Sequence, residues 1–397
     1  MSKFKLLVIF PVIFLSIVNY EASAQTFIGQ TTNNNVITTA VPFVMIAPDA
    51  RGGGMGDNGV ATTPDASSMH WNPAKYAFAE KDFGFATSYS PWLRALVSDI
   101  NLAYVAGYKR FDDVQAVAAS LRYFSIGSIT FTDITGNQIG DYKPNEFAID
   151  ATYSRKLTDK WSGAVAVRYI NSNLTQGQFV QGLETKPGQT VAADVAVYHQ
   201  RELLWSSMEN AEMAFGLNIS NIGAKISYSD ATTDKDFIPT NLRLGGRLTM
   251  DVDDYNRLSF SIDVNKLLVP TPPIYAKDTA TGETYIFKGK DPNVNVVEGI
   301  MQSWYDAPDG FSEELREFIF SVAGEYWYNK QFAVRGGYFN EHPTKGNRQF
   351  FTLGAGLRYN IFGLDFSYLI PTEQKNPLEN TLRFTLTFDF DEAVRRR

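Results

Sequence analysis

Residues 382–390 alternate without a fault. Leu382, Phe384, Leu386, Phe388 and Phe390 fall on one side, and Arg383, Thr385, Thr387 and Asp389 on the other. Strand side chains repeat with a period of two, so this segment has one apolar and one polar face. The pattern recurs at roughly 82–92, 97–109, 114–126, 144–156, 160–173, 189–199, 211–221, 239–250, 256–268, 317–328, 331–340, 348–360 and 361–371. With 379–390 these make fourteen strand-like segments. In one of them Leu258, Phe260, Ile262 and Val264 alternate with Arg257, Ser259, Ser261 and Asp263. Fourteen half-apolar strands predict an all-β fold: a transmembrane, antiparallel outer-membrane barrel with lipid on one face of each strand and a polar interior on the other.

The start of the chain fits that destination. Lys3 and Lys5 precede an apolar run at 6–18 and the small residues Ala22-Ser23-Ala24. This is the layout of a secretory signal over residues 1–24, with the mature chain starting at Gln25. The run is too short to cross a bilayer as a helix, and no other stretch is long enough. The mean hydropathy of -0.19 suits strands whose inner faces are polar. Aromatic residues make up 14% of the chain, enough to supply interfacial girdles. The absence of Cys excludes a lipoprotein anchor, disulfides and a thiol nucleophile. A net charge of -7 gives no basic surface for nucleic acid.

The gaps between segments support the barrel independently. Outer-membrane barrels have short periplasmic turns and long external loops. Every second gap is tight, such as Asn329-Lys330 and the junction near Asn360-Ile361. The stretch around Arg201 to Asn210 is read as another of these turns. The alternate gaps include the long ones at 127–143, 174–188, 222–238 and 269–316. The expected domains are a segment at 25–80, a barrel at 81–390 and a solvated tail at 391–397, with both termini periplasmic. Many such barrels end on an aromatic residue. Here Phe390 is followed by seven residues ending Arg395-Arg396-Arg397, so the assembly signal is expected to be internal.

The inward faces carry Arg168, Arg243, Arg247, Arg358 and Arg383 against Asp150, Asp194, Asp263, Glu325 and Asp365. An ion-selective pore favours one sign. A balanced set predicts a paired polar network in a filled lumen, since buried charges need partners. Residues 25–80 do not alternate. Their Arg51-Gly52-Gly53-Gly54-Met55-Gly56 lacks the Lys-Ser/Thr of a phosphate loop. A compact segment inside the barrel is expected, with glycines allowing close backbone approach.

The connection 269–316 exceeds what a plain loop needs. Helical spacing at Val297, Ile300, Met301 and Trp304 predicts a helix within 293–305, and Ser312-Glu313-Glu314 predicts a second start. Ile300, Trp304, Tyr305 and Phe311 form a candidate partner surface or, equally, a cluster packed on the barrel rim. His70, His199 and His342 fall in the inner segment, at a periplasmic strand end and on an external loop. They do not converge on a metal, and no nucleophile motif adjoins His342. The expectation is a non-enzyme without cofactor.

Asn72-Pro73-Ala74, ahead of fourteen strands, resembles the hatch motif of the FadL fatty-acid transporter superfamily. Other stretches resemble, more narrowly, the PorV (LptO) family of the type IX secretion system. They are 48–56, 67–74, Asp263-Val264-Asn265-Lys266-Leu267-Leu268-Val269-Pro270, 351–359 and Asp365-Phe366-Ser367-Tyr368-Leu369-Ile370-Pro371. This resemblance spans essentially the whole mature chain. It implies an outer-membrane shuttle, in contact with outer-membrane lipids, that binds the C-terminal signal domains of secreted cargo at the translocon SprA (Sov). It would deliver them to an attachment complex of the sortase PorU with PorQ and PorZ. The alternative is a FadL-like transporter of hydrophobic small molecules, with Gly245-Gly246 or Gly336-Gly337 kinking a strand. A porin and a lipid-modifying hydrolase are the remaining rivals.

Overall fold

The computed structural model describes residues 26–28, 34–94, 97, 99–132, 135–180, 183–205, 208–230, 235–373 and 376–391. The expected signal peptide and all of the tail beyond Asp391 lie outside these residues. The barrel strands are β1 (Phe83–Pro91), β2 (Asn101–Arg110), β3 (Gln115–Ser125), β4 (Asn145–Lys156), β5 (Trp161–Asn173), β6 (Gly188–Trp205) and β7 (Met208–Gly223). They continue as β8 (Asn241–Asp251), β9 (Asn256–Leu267), β10 (Ile319–Tyr328), β11 (Phe332–Asn340), β12 (Gln349–Tyr359), β13 (Phe362–Pro371) and β14 (Leu382–Phe390). Each pairs with its sequence neighbour, and β14 closes on β1 from Phe83↔Phe390 to Tyr89↔Phe384. The result is a closed, antiparallel, fourteen-stranded barrel.

Alternation fixes the two faces. On β5, Val165 and Val167 are exposed while Ala164, Ala166 and Arg168 are buried. Phe260, Ile262, Phe351 and Leu353 likewise project outward. In water such an exterior would drive aggregation; in a bilayer it is the lipid-facing wall. No described helix is long and apolar enough to cross a membrane, so the strands do the crossing.

One end of the barrel has short turns. Asn329 and Lys330 both adopt positive φ, 50° and 53°, the geometry of a type I′ hairpin. The stretch expected as a turn around 201–210 is instead mostly strand, because β6 and β7 run on as a hairpin to Trp205 and Met208. The other end carries the long loops. That between β9 and β10 holds the hairpin Ile274–Lys277/Thr284–Lys288 and the helices Val296–Gln302 and Phe311–Arg316. The first of these helices starts at an Asn295 cap that accepts from Glu298 N, and the second starts after Gly310 rather than at Ser312.

The termini require a correction. Thr26–Ile28 pairs with Ile274–Lys277 of the long loop, whereas Phe390 pairs with Phe83 at the short-turn end. The ends of the described chain therefore lie at opposite ends of the barrel, and both cannot be periplasmic. No alternation marks a strand this far upstream. Residues 34–79 run back from the long-loop end to the start of β1. They contain the short helices Ala50–Gly53 and Ser68–Trp71 and the 3-10 turn Pro73–Phe78. Met69, Tyr76 and Ala79 pack against inward-facing Ala86, Tyr108, Ala116 and Ala166. Val41, Phe43 and Val44 pack against Ala148, Ile170 and Ala192.

Candidate functional site

The N-terminal segment is held by its own geometry before it meets the wall. Asp49 caps Ala50–Gly53 by accepting from Gly52 N at 2.8 Å, and its other oxygen accepts from Trp71 Nε1 at 2.7 Å. Trp71 lies so close to Gly52 that a Cβ there would sit 2.4 Å from the indole. Gly56 adopts φ +68°, and a Cβ on it would meet the backbone of Tyr338 on β11 at 2.8 Å. These contacts explain the Gly-rich run: the backbone itself packs on neighbouring groups.

Asn72, Pro73 and Ala74 form one unit. Asn72 Oδ1 accepts from Ala74 N at 3.0 Å, capping the 3-10 turn that Pro73 opens. Its amide donates to Val60 O at 3.2 Å and to Val197 O of β6 at 3.0 Å. Ala74 O accepts from Ser154 on β4 at 3.1 Å and Ser162 on β5 at 2.7 Å. Ala74 itself packs among Ala164, Ala196, Tyr198 and Ala214. The tripeptide thus fastens the segment to β4–β7.

The charges meet, but through the segment as much as across the wall. Arg51 donates to both oxygens of Glu325, at 3.0 and 2.9 Å, and to Asp65 at 2.9 Å. Glu325 also accepts from Arg335 at 2.7 Å; Arg335 bonds Asp365 at 2.7 Å, and Asp365 accepts from Arg358 at 2.6 Å. The chain Asp65–Arg51–Glu325–Arg335–Asp365–Arg358 joins the segment to β10–β13. Arg168 pairs with Asp150 and, at 3.2 Å, with Asp194. Arg383 pairs with Asp57 at 3.3 Å, and Arg247 with Glu212.

Two expected members pair otherwise. Asp263 Oδ2 accepts from the backbone N–H of Gly59 at 2.8 Å and Val60 at 3.0 Å. Arg243 donates to His70 O at 3.0 Å and lies over the Trp71 ring. Arg122 contacts the opposite side of His70 at 2.7 Å and donates to Val44 O at 2.5 Å. Arg335 and Arg122 were legible on their strands' inward phase. Arg51, Asp57, Asp65 and His70 sit where no periodicity marks an inward position.

Gly245-Gly246 and Gly336-Gly337 open no bulge. Their pairings run in continuous register, and the two register shifts among the described wall strands lie at Ala193/Val195 and Leu203/Trp205, both between β6 and β7. A Cβ on Gly337 would sit 2.2 Å from the Met55 carbonyl carbon, and one on Gly245 would meet Val60 at 2.9 Å. These glycines make room for the segment.

The long loop presents a second site. Trp304, Tyr305 and Phe311 are 44%, 59% and 76% exposed, beside exposed Val297, Met301 and Leu315, with Ile300 half-buried. The even choice between partner surface and rim packing therefore divides by residue. Trp304 is the one turned to the barrel, its ring 6.4 Å from that of Phe318 and near Lys266 Nζ.

A buried ion cluster holds this loop. Lys266 bonds Glu317 at 2.6 Å and Glu314 at 3.2 Å. Lys345 bonds Glu313 at 2.6 Å and Glu317 at 3.0 Å. Asn35, from the N-terminal segment, donates to Glu313 at 2.9 Å. Burial raises the Asp306 carboxyl from 3.8 to about 6, helped by the nearby Glu314 and Glu317. Burial also acts to raise Glu313, but the Lys345 hydrogen bond and its neighbours outweigh it and lower the carboxyl overall.

The family model described as "Type IX secretion system protein PorV" matches residues 29–274, more than half of the chain. The chain belongs to the PorV family. Its place is therefore in type IX secretion, and a closed barrel with an apolar exterior places this chain in the outer membrane. Among solved structures, the chain is similar to the CymD monoaromatic hydrocarbon channel, at 12% identity and TM-score 0.48, covering 90% of this chain and 100% of that one. It is also similar to the Ralstonia pickettii toluene transporter TbuX, at 11% identity and TM-score 0.47, covering 86% and 98%. The Pseudomonas putida toluene transporter TodX matches at 11% identity and TM-score 0.46, covering 85% and 95%. No curated protein matches the sequence.

Proposed function

We propose that this chain is the outer-membrane carrier of type IX secretion. It takes cargo from the translocon SprA (Sov) by the C-terminal signal domain and passes it to the attachment complex of PorU, PorQ and PorZ. One observation carries the reading: a PorV-family barrel whose inward charges are tied up by its own N-terminal segment. A carrier needs a membrane-embedded body that does not leak large solutes and an external surface that binds protein reversibly. Residues 25–80 act as the hatch, with Asn72, Pro73 and Ala74 its anchor. The long-loop end faces outward. There Ile300, Trp304, Tyr305 and Phe311 form the docking surface, held in place by the Lys266–Glu317–Lys345 cluster. Aromatic anchors dominate protein interfaces, and truncating a central one typically costs at least about 2 kcal/mol, roughly thirtyfold in affinity.

The test is a gentle-detergent pull-down with Trp304, Tyr305 and Phe311 all replaced by Ala. The expected result is loss of translocon or cargo from the eluate while the barrel remains heat-modifiable on gels. Wild-type recovery of both partners would remove the docking assignment.

A further inference from the structure

The lipid-facing wall differs around the barrel. On β10–β13 it is built of large rings, with Phe320, Phe332, Phe351 and Phe366 all outward. On β5 and β6 the exposed residues are Val165, Val167, Val191 and Val195. Toward the short-turn end of β5, Gly163 carries no side chain; a Cβ there would meet nothing nearer than Leu157 Cδ1 at 3.5 Å. Gly163 lies between Arg155 on β4 and Val197 on β6. The wall is shallow here, a strip on which an acyl chain can lie against backbone and small side chains. The strip ends among cations. Arg155 is exposed beside Gly163. Trp161, 46% exposed, faces His199 across the β5–β6 pair, with ring centroids 4.4 Å apart. Exposed Lys160 precedes it, its carbonyl accepting from Gln200 N at 3.0 Å. Arg201, two residues beyond His199, is also exposed and repeats its outward phase. Among the described residues, Arg155, Lys160 and Arg201 form no salt bridge and no side-chain hydrogen bond. Nearby, Asp113 is paired with Arg110, and Asp112 accepts from the backbone of Val114 and Gln115. Asp159, in the same turn as Lys160, is the one further carboxylate, so the cluster of three cations keeps an excess of positive charge.

The corresponding outward band on β10–β12 is aromatic and uncharged, with Tyr326, Tyr328, Phe332 and Tyr359 exposed. Aromatic rings alone serve as a membrane girdle at headgroup depth. Unpaired cations added to one sector of that girdle call for an anion at the same depth, and basic clusters at a membrane surface attract anionic lipid headgroups. Arginine suits a phosphate diester, which it can hold by two parallel hydrogen bonds. We propose that the short-turn end of β4–β6 is a binding site for an anionic glycerophospholipid. Its phosphate sits among Arg155, Lys160 and Arg201, its glycerol against Trp161, and one acyl chain along Gly163, Val165 and Val167. The orientation proposed above assigns this lipid to the periplasmic leaflet, while binding itself is measured without reference to secretion. An ordered lipid on one sector leaves the barrel with two unlike sides, one wearing a held lipid and one a bare aromatic wall.

The test titrates the full chain in neutral detergent with phosphatidylglycerol and, separately, with phosphatidylcholine, counting bound lipid by native mass spectrometry. One variant combines Arg155→Gln, Lys160→Gln and Arg201→Gln. A second combines Lys277→Gln, Lys288→Gln and Lys290→Gln, the same charge change on exposed lysines of the long loop. Only protein that remains heat-modifiable is scored. Each basic group near an anionic headgroup contributes roughly fivefold in affinity, so the first variant is expected to bind phosphatidylglycerol at least about tenfold more weakly. The loop variant should bind it as the unaltered chain does, and phosphatidylcholine should bind the unaltered chain weakly. Unchanged affinity in the first variant, an equal loss in the loop variant, or equally tight phosphatidylcholine would overturn the proposal. Quenching by lipids brominated on the acyl chain locates the site. Phosphatidylglycerol should quench tryptophan emission more than phosphatidylcholine does, and Trp161→Phe should remove that excess; an excess that survives Trp161→Phe would place the lipid elsewhere and refute the assignment.

Discussion

Replacing Glu325 by Gln isolates the bond between segment and wall. Glu325 is buried and receives two bonds from Arg51, at 3.0 and 2.9 Å, and one from Arg335, at 2.7 Å. Removing the charge leaves two buried guanidiniums short of a counter-charge. Breaking a buried ion pair from one side costs about 3–5 kcal/mol. The lower end applies, because Arg51 keeps Asp65 and Arg335 keeps Asp365. About 3 kcal/mol corresponds to roughly a hundredfold rise in the fraction of molecules with the segment undocked. A cysteine at Ala66, buried in the native segment, reports that fraction by its labelling rate with a thiol reagent. The barrel ladder does not pass through Glu325's side chain, so heat-modifiability should persist. A labelling increase below about threefold for Glu325→Gln would refute the idea that this network holds the segment.

Asn72→Ala should loosen the same segment by about 1–3 kcal/mol, through loss of the cap on Ala74 N and of the donors to Val60 and Val197, read by the same labelling rate. Gly52→Val should expel Trp71 from its seat and expose the segment to trypsin, whereas Gly136→Val, in open space on a loop, should affect positioning of the segment not at all. Loop anchoring should weaken as pH rises from 4 to 6, because Asp306 protonates more readily in the folded loop than outside it; above pH 6 the loss is complete. Glu313 has the opposite sign, its contribution present above 4.5 and lost as pH falls below that value. Hydrogen exchange of residues 306–317, corrected for intrinsic pH dependence, should show both trends, with Asp306→Asn abolishing the first and Glu313→Gln the second.

The barrel was legible because a bilayer imposes strict alternation. All fourteen segments are strands, with ends displaced by a few residues. The largest displacement, on β6 and β7, has a physical reason: beyond the membrane the hairpin no longer needs an apolar outer face, so Arg201 and Glu202 break the pattern without breaking the strand. All ten inward charges are buried or nearly so, with Arg358 the most exposed. Their partners were less legible. Arg51, Asp57 and Asp65 lie in a segment without a repeating phase, and its pairings are fixed only when glycine backbone, Trp71 and the wall pack together. The position of Thr26–Ile28 was hidden for the same reason: a short edge strand added to a loop hairpin carries almost no sequence signal.

Deleting the gene and measuring two outputs in one strain tests the carrier role most directly. Proteins bearing the type IX C-terminal signal are quantified on the surface and in the periplasm, and growth on a long-chain fatty acid is measured alongside. Cargo is expected to accumulate in the periplasm with fatty-acid growth unchanged, and the intact chain is expected to rescue secretion. Normal secretion with impaired growth on the fatty acid would contradict it and return the barrel to small-molecule transport.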